Sequence, residues 1–339
     1  MSCMEKEKKQ FDVVGIGSPL LDFIVEVDDS LLTDIHLNKG EMHLVDKETS
    51  EKIFEKISGR HITIAPGGSS ANTLSGVSAL GGQTVFMGKI GGDAHGATYE
   101  EMTRDDGVIP RLIRETDITT GHAITFITPD GERTFATHLG ASLYFKKEDV
   151  NDIDIVASKI LHCEGYQLED LELRASVIHA MRVAQEHGTK ISIDLSDAAL
   201  IGRNLDVVRK LITDYVDIVF VNDDEAEALT GKSGEEALRS IAGSCEIVIV
   251  KQGEKGSLIY MNGEVHVISP HEVIVANTNG AGDMYAAGIL YSLVNNIPLH
   301  RGGALASFAA AQVVSSVGAR LDETLKKKIK DYTMTTIIT

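Results

Sequence analysis

The chain has 339 residues, 43% of them apolar, which is enough to bury a full α/β core and too apolar for intrinsic disorder. A net charge of −18, from 50 acidic against 32 basic residues spread along the chain, argues against duplex nucleic acid or an anionic membrane surface as partner. No stretch approaches the roughly 18 consecutive apolar residues of a membrane span, and the three dispersed cysteines, Cys3, Cys163 and Cys245, lack metal spacing and fit a reducing cytosol.

In chain order, the opening MSCMEKEKKQ is charged and has no apolar h-region, which predicts a loose tail over residues 1–10 and a cytoplasmic protein. GIGSPL (15–20) starts like a dinucleotide fingerprint. Leu20 stands at the third glycine position, however, and Pro19 where a helix should be under way, so this is not a Rossmann phosphate loop. FIVEVD (23–28) and HAITFITPDGERTFATHLG (122–140) alternate with the period of half-buried strands, and the second turns at Pro129-Asp130-Gly131. They predict a small sheet standing off the main one, a lid drawn from about 22–48 and 112–140 of a single domain spanning 11–330.

The middle of the chain carries KILHCEG (159–165), KISIDLSD (190–197), DIVFVND (217–223) and EIVIVKQG (246–253), apolar runs alternating with segments of helical period. That alternation predicts βαβ units and a parallel sheet. The runs end at Glu164 with Gly165, Asp194, Asn222, and Lys251 with Gly253, and ligands of open parallel sheets bind outside such carboxyl ends. Gly231-Lys232-Ser233 imitates the close of a Walker A motif, but the leading glycine is replaced by Ala226. SLIYMNGEVHVIS (257–269) carries Asn262-Gly263 and predicts an antiparallel edge hairpin. Twelve histidines show no HExxH or other ligand spacing and read as solvated or hydrogen-bonded side chains.

VIVANTNGAGDMYAAGIL (273–290) is the most informative stretch. Gly280, Ala281 and Gly282 follow a strand-like run and open a helix of small residues, so their NH groups converge as an anion hole does. Asp283 reads equally as a helix cap or as a carboxylate sharing the site with a phosphate. A cap does not require two closely spaced glycines, whereas a phosphate approaching the backbone does. A carboxylate beside a phosphate makes sense when it has a proton to accept, as in phosphoryl transfer to an alcohol.

NTNGAGD resembles the DTxGAGD signature of the PfkB, or ribokinase-like, family of carbohydrate and nucleoside kinases. GIGSPLLD, PGGSSAN (66–72), VND-DE (221–225) and VKQGEKG (250–256) follow the family's order and spacing over roughly residues 11–318. The resemblance implies an α/β, ribokinase-like fold, with a central mostly parallel sheet flanked by helices and a small β-sheet lid. It implies ATP and Mg²⁺, a small-molecule acceptor, and a monomer or homodimer. It makes Asp283 the general base, with Gly280, Ala281 and Gly282 as the anion hole and Arg133 of the lid reaching the phosphates, a surface salt bridge being Arg133's alternative. Asn222 and Glu225 match a pair near Mg²⁺ and phosphate that acts through water, and equally form a helix N-cap and its capping-box partner. Lys251, Gly253 and Gly256 match the nucleotide-facing turn, with a merely solvated Lys251 as the alternative. Asp22, Gly67, Gly68 and Asn72 match residues that hold sugar or ribose hydroxyls.

Sugar kinases of this family commonly carry Asp-x-Asn-x-Arg on a middle strand, where this chain has Asp194-Leu195-Ser196-Asp197-Ala198. That pattern, SPLLD and the long 121–135 hairpin resemble the adenosine kinase branch, and Tyr166 beyond a strand end is suited to stacking on a purine. Ser18 departs from the asparagine often found there. Asn277 departs from the family's Asp, which predicts weak or absent activation by a monovalent cation. The reading is an adenosine kinase, with a PfkB sugar kinase as the alternative and a catalytically silent nucleotide-binding regulator as a remote one.

Overall fold

The computed structural model describes residues 9–274, 278–315 and 319–337; most of the opening tail, together with Cys3 and Asn277, lies outside the described residues. The strands are β1 (Phe11–Ile16), β2 (Leu20–Glu26), β3 (Met42–Leu44), β4 (Ile62–Gly67), β5 (Thr84–Gly91), β6 (Ile109–Glu115) and β7 (Gly121–Ile127). They continue with β8 (Arg133–His138), β9 (Ser158–Glu164), β10 (Lys190–Asp194), β11 (Ile218–Asn222), β12 (Ile247–Lys251), β13 (Ser257–Met261) and β14 (Glu264–Ile268).

Nine strands form the main sheet in the order β14-β13-β12-β11-β10-β9-β1-β5-β6. From β12 through to β6 every pairing is parallel, and β13 and β14 close the other edge antiparallel. The middle strands read as continuous apolar runs because both faces are covered. Along β11, Ile218 and Phe220 join one core layer while Val219 and Val221 join the other. The edge hairpin turns at Asn262 and Gly263, both at positive φ (53° and 86°), as a two-residue connection between twisted strands requires.

Helix Ala281–Val294 carries Ala287 and Gly288 where it is squeezed between two others. A Cβ on Gly76 of helix Ser69–Ala79 would meet the Ala287 methyl at 2.6 Å, and one on Gly288 would meet Ala306 of helix Leu299–Val314 at 2.5 Å.

The second sheet runs β3-β8-β7-β2-β4. The β7–β8 hairpin forms at Pro129-Asp130-Gly131, with Gly131 at φ 85°. The lid's limits differ from the expected ones. Residues 112–115 belong to β6, which pairs with β5 as the edge of the main sheet, and β4, outside the expected ranges, pairs with β2. Pro110 in β6 suits that place, since proline is tolerated in edge strands.

Candidate functional site

The carboxyl ends of β9, β10, β11 and β12 bring Glu164, Asp194, Asn222 and Lys251 along one crevice, with Glu164 beside Asp194 and Asn222 beside Lys251 in register. Helix Ala281–Val294 points its N-terminus at the same place. Gly280 caps it in the left-handed region at φ 76°, and a side chain there would strike the Ala319 carbonyl at 2.6 Å, so geometry and space both demand glycine. A Cβ at Gly282 would lie 3.1 Å from Lys251 Nζ. A cation therefore rides over the first turn, at the end of the helix whose dipole attracts anions.

Lys251 is not a solvated side chain. Its Nζ donates to Asp194 Oδ2 at 2.6 Å, with the two side chains 16% and 4% exposed. Burial lowers the affinity of this amine for its proton, but Asp194 and Glu225 together outweigh that, and the ammonium is held above its ordinary pKa. Ser196, two residues past β10, has φ 65°, and Asp197 caps the helix Ala198–Arg203.

Asp283 lies in the first turn of its helix, but its carboxylate faces away from a capping role. Oδ1 accepts from Ser69 Oγ at 2.7 Å and Oδ2 from Asn72 Nδ2 at 3.0 Å, both on helix Ser69–Ala79. Burial raises its pKa, opposed by the Asn72 and Ser69 hydrogen bonds. A half-buried carboxylate of raised basicity beside an anion-attracting helix end can accept a proton from an alcohol whose oxygen attacks a phosphoryl group.

The glycine pair before that helix follows from close approach. A Cβ on Gly67 would sit 2.9 Å from Asp22 Oδ2, and one on Gly68, at φ 92°, would lie 2.2 Å from the Ser18 carbonyl. Asp22 on β2 thus leans over the turn into the helix that carries Asn72. Burial pushes its carboxyl up to about 7 against the pull of Arg320 and of Arg133 at the start of β8. Glu164 ties the same corner from beneath: Oε1 accepts from Ser18 NH at 3.0 Å and Oε2 from Ser70 NH at 2.8 Å, with burial raising its pKa to about 7.

Tyr166 follows at the crevice mouth, 41% exposed, its hydroxyl donating to the Ser196 carbonyl at 3.4 Å. Gly253 has φ 56° and open space where a Cβ would be, consistent with a ligand-facing turn. Gly256, at φ 91°, is required by packing, since its Cβ would meet the Ile268 carbonyl at 2.0 Å.

Asn222 and Glu225 form a complete capping box. Asn222 Oδ1 accepts from Glu225 NH at 2.8 Å, while Glu225 accepts from Asn222 NH at 2.9 Å and from Nδ2 at 2.7 Å. Burial and Asp194 raise the Glu225 carboxyl to about 7, with Lys251 pulling the other way. Each Glu225 oxygen already accepts a hydrogen bond within the capping box, an arrangement that suits holding a divalent cation through intervening water.

Glu164 and Asp194 join the crevice as the ends of apolar runs, whereas Ser69 and Arg320 belong to this constellation without having been picked from the sequence. Ser69 adjoins the Gly67-Gly68 pair. Arg320 has no local signal at all, since its partner Asn72 is 248 residues away.

The pfkB family carbohydrate kinase model matches residues 41–326. A 5-dehydro-2-deoxygluconokinase of Bacillus licheniformis is 30% identical over 321 residues, covering 91% of each chain. Among solved structures, a probable sugar kinase from Rhizobium etli superposes with a TM-score of 0.89 at 31% identity, covering 96% of this chain and 99% of its own. The adenosine kinase from Sinorhizobium meliloti superposes with a TM-score of 0.88 at 31% identity, covering 95% and 99%. With its two sheets, its glycine-capped helix and a family match over most of its length, the chain belongs to the pfkB family of carbohydrate kinases.

Proposed function

We propose that the protein transfers the γ-phosphoryl group of ATP to the 5′-hydroxyl of a ribonucleoside, with adenosine the favoured acceptor. The observation that carries the reading is the placement of Asp283. It is held by Ser69 and Asn72 and stands in the first turn of a helix whose N-terminus is overlain by the Lys251 ammonium. Asp283 takes the hydroxyl proton as the substrate oxygen bonds to the γ-phosphorus. The bond from that phosphorus to the bridging oxygen breaks, and ADP leaves with its electron pair. The NH groups of the Gly280–Gly282 turn and Lys251 meet the charge on the transferring group, where each well-aimed donor is worth about 3 kcal/mol. Mg²⁺ held through water at Asn222 and Glu225 would neutralise phosphate charge.

Asp22 and Asn72 suit a vicinal diol, one accepting and the other donating or accepting. Tyr166 offers a half-exposed ring for a base. Two carboxylates, Asp22 and Asp283, face the acceptor side, and the buried Arg320 is engaged by Asn72, Asp106 and the Gly67 carbonyl, which disfavours an acidic sugar. A sugar acceptor is the second reading, favoured by the name of the Bacillus licheniformis relative. ATP consumption measured against ribonucleosides, fructose, ribose and 5-dehydro-2-deoxygluconate decides: adenosine is expected to give the highest kcat/KM, and a sugar exceeding every nucleoside overturns the reading.

A further inference from the structure

The segment Ala319–Arg320 enters the site from far along the chain. Arg320, its side chain 7% exposed, donates from Nε to Asn72 Oδ1 at 2.9 Å, from Nη1 to Asp106 Oδ2 at 2.8 Å and from Nη2 to the Gly67 carbonyl at 3.2 Å. Asp106 is fixed in turn by Lys326 at 3.3 Å, and the Gly67 carbonyl also accepts from Tyr99 at 3.0 Å. A guanidinium only donates, so it can bond the oxygen end of the Asn72 amide and not the NH₂ end. The two ends of an amide have nearly the same shape; the Asp283 carboxylate, which only accepts, favours the NH₂ end, and Arg320 locks that choice from the other side. With the oxygen committed to Arg320, the NH₂ end is turned to Asp283 Oδ2 at 3.0 Å.

We propose that Arg320 is a positioning residue for the phosphoryl-transfer reaction, fixing the Asn72 amide so that it donates to Asp283 and holds that carboxylate toward the acceptor hydroxyl. The proposal rests on Asp283 being the base. Arg320 touches neither reactant in this scheme: it acts on Asp283 through Asn72 and draws down the pKa of Asp22, a contribution that persists when Asn72 is alanine and that the cycle therefore separates. Should the amide invert, Asp283 would face an oxygen, lose a hydrogen bond that favours its charged form, and take up its proton at higher pH. The other groups that bear on Asp283 are Ser69 on the same helix as Asn72, Glu164 and Tyr166 after β9, Asp194 at the end of β10 and Lys251 at the end of β12. They are unchanged by a substitution at 320.

The test is a double-mutant cycle on kcat with Arg320→Met and Asn72→Ala, alongside the pH profile of kcat/KM. Arg320→Met is expected to lower kcat roughly tenfold or more and to move the acidic limb of the profile to higher pH, and to change kcat by less than about twofold when Asn72 is already alanine. Arg320→Lys, which keeps the charge and one donor, is expected to recover part of the loss, and it replaces Arg320→Met in the cycle if the methionine variant does not fold. Additive losses in the cycle, or an unmoved acidic limb, overturn the proposal. An Asp283→Asn enzyme with full turnover instead overturns the assignment of the base, a separate failure read on a separate variant.

Discussion

Replacing Lys251 by methionine removes a buried ammonium while nearly keeping its shape. Two consequences follow from different contacts. Asp194, 4% exposed and paired at 2.6 Å, is left as an uncompensated buried carboxylate near Glu225 and Asp283, and breaking such a pair costs about 3–5 kcal/mol. The first turn of helix Ala281–Val294 also loses the cation 3.1 Å from the Gly282 Cβ position, and a charge aimed at a transferring phosphoryl group is worth about 3–4 kcal/mol, or roughly 10²–10³ in kcat. The two are separable. Asp194→Asn added to Lys251→Met removes the stranded charge, so denaturant unfolding is expected to recover most of the lost stability while kcat stays low. Turnover returning together with stability in the double variant would show that Lys251 only holds the fold.

Asp283→Asn is expected to keep its unfolding midpoint within a degree or two and to lose at least about a hundredfold in kcat, because it replaces a proton acceptor that is not a helix cap; lost stability with intact turnover refutes this in calorimetry and steady-state kinetics. 2′-Deoxyadenosine is expected to fall below adenosine by about 1–3 kcal/mol in kcat/KM, since Asp22 or Asn72 loses a partner, and equal values remove both from the acceptor site. Glu164, raised by burial to about 7, binds its proton more tightly folded than unfolded, so its stabilising contribution is present below pH about 4.5 and lost as pH rises through about 7. The destabilisation measured for Glu164→Gln by urea unfolding is therefore expected to be larger at pH 5 than at pH 7.5, by on the order of 1–3 kcal/mol, and the opposite trend refutes it.

What could be read from the sequence is what local chemistry specifies. The runs ending at Glu164, Asp194, Asn222 and Lys251 are buried on both faces and bounded by polar residues, so strand, orientation and crevice follow from pattern. The Asn262-Gly263 turn and the small-residue helix after Gly282 are equally local. β4 was not read as a lid strand because ITIAPG acquires its place only by pairing with β2, some forty residues earlier. For Lys251 a solvated side chain stayed open beside the nucleotide-facing reading, since nothing near it in the chain announces Asp194, 57 residues away. Asn222 and Glu225 were legible in both roles at once, and the hydrogen bonds display the capping box.

The return of Ala319 and Arg320 to the site also sets when, during synthesis, the molecule can become competent. Among the described residues, every strand of both sheets is complete by Ile268, and the helices on either side of Gly288 by Val314. A nascent chain of that length already has most of its two core layers, lacking Leu321, Ile329 and Ile337 of one. It lacks the backbone that presses on Gly280 and the guanidinium that faces Asn72. The ordering places the closing of the site after the folding of nearly everything else, so a chain arrested before Ala319 would carry the architecture of a kinase with its reacting groups unfixed.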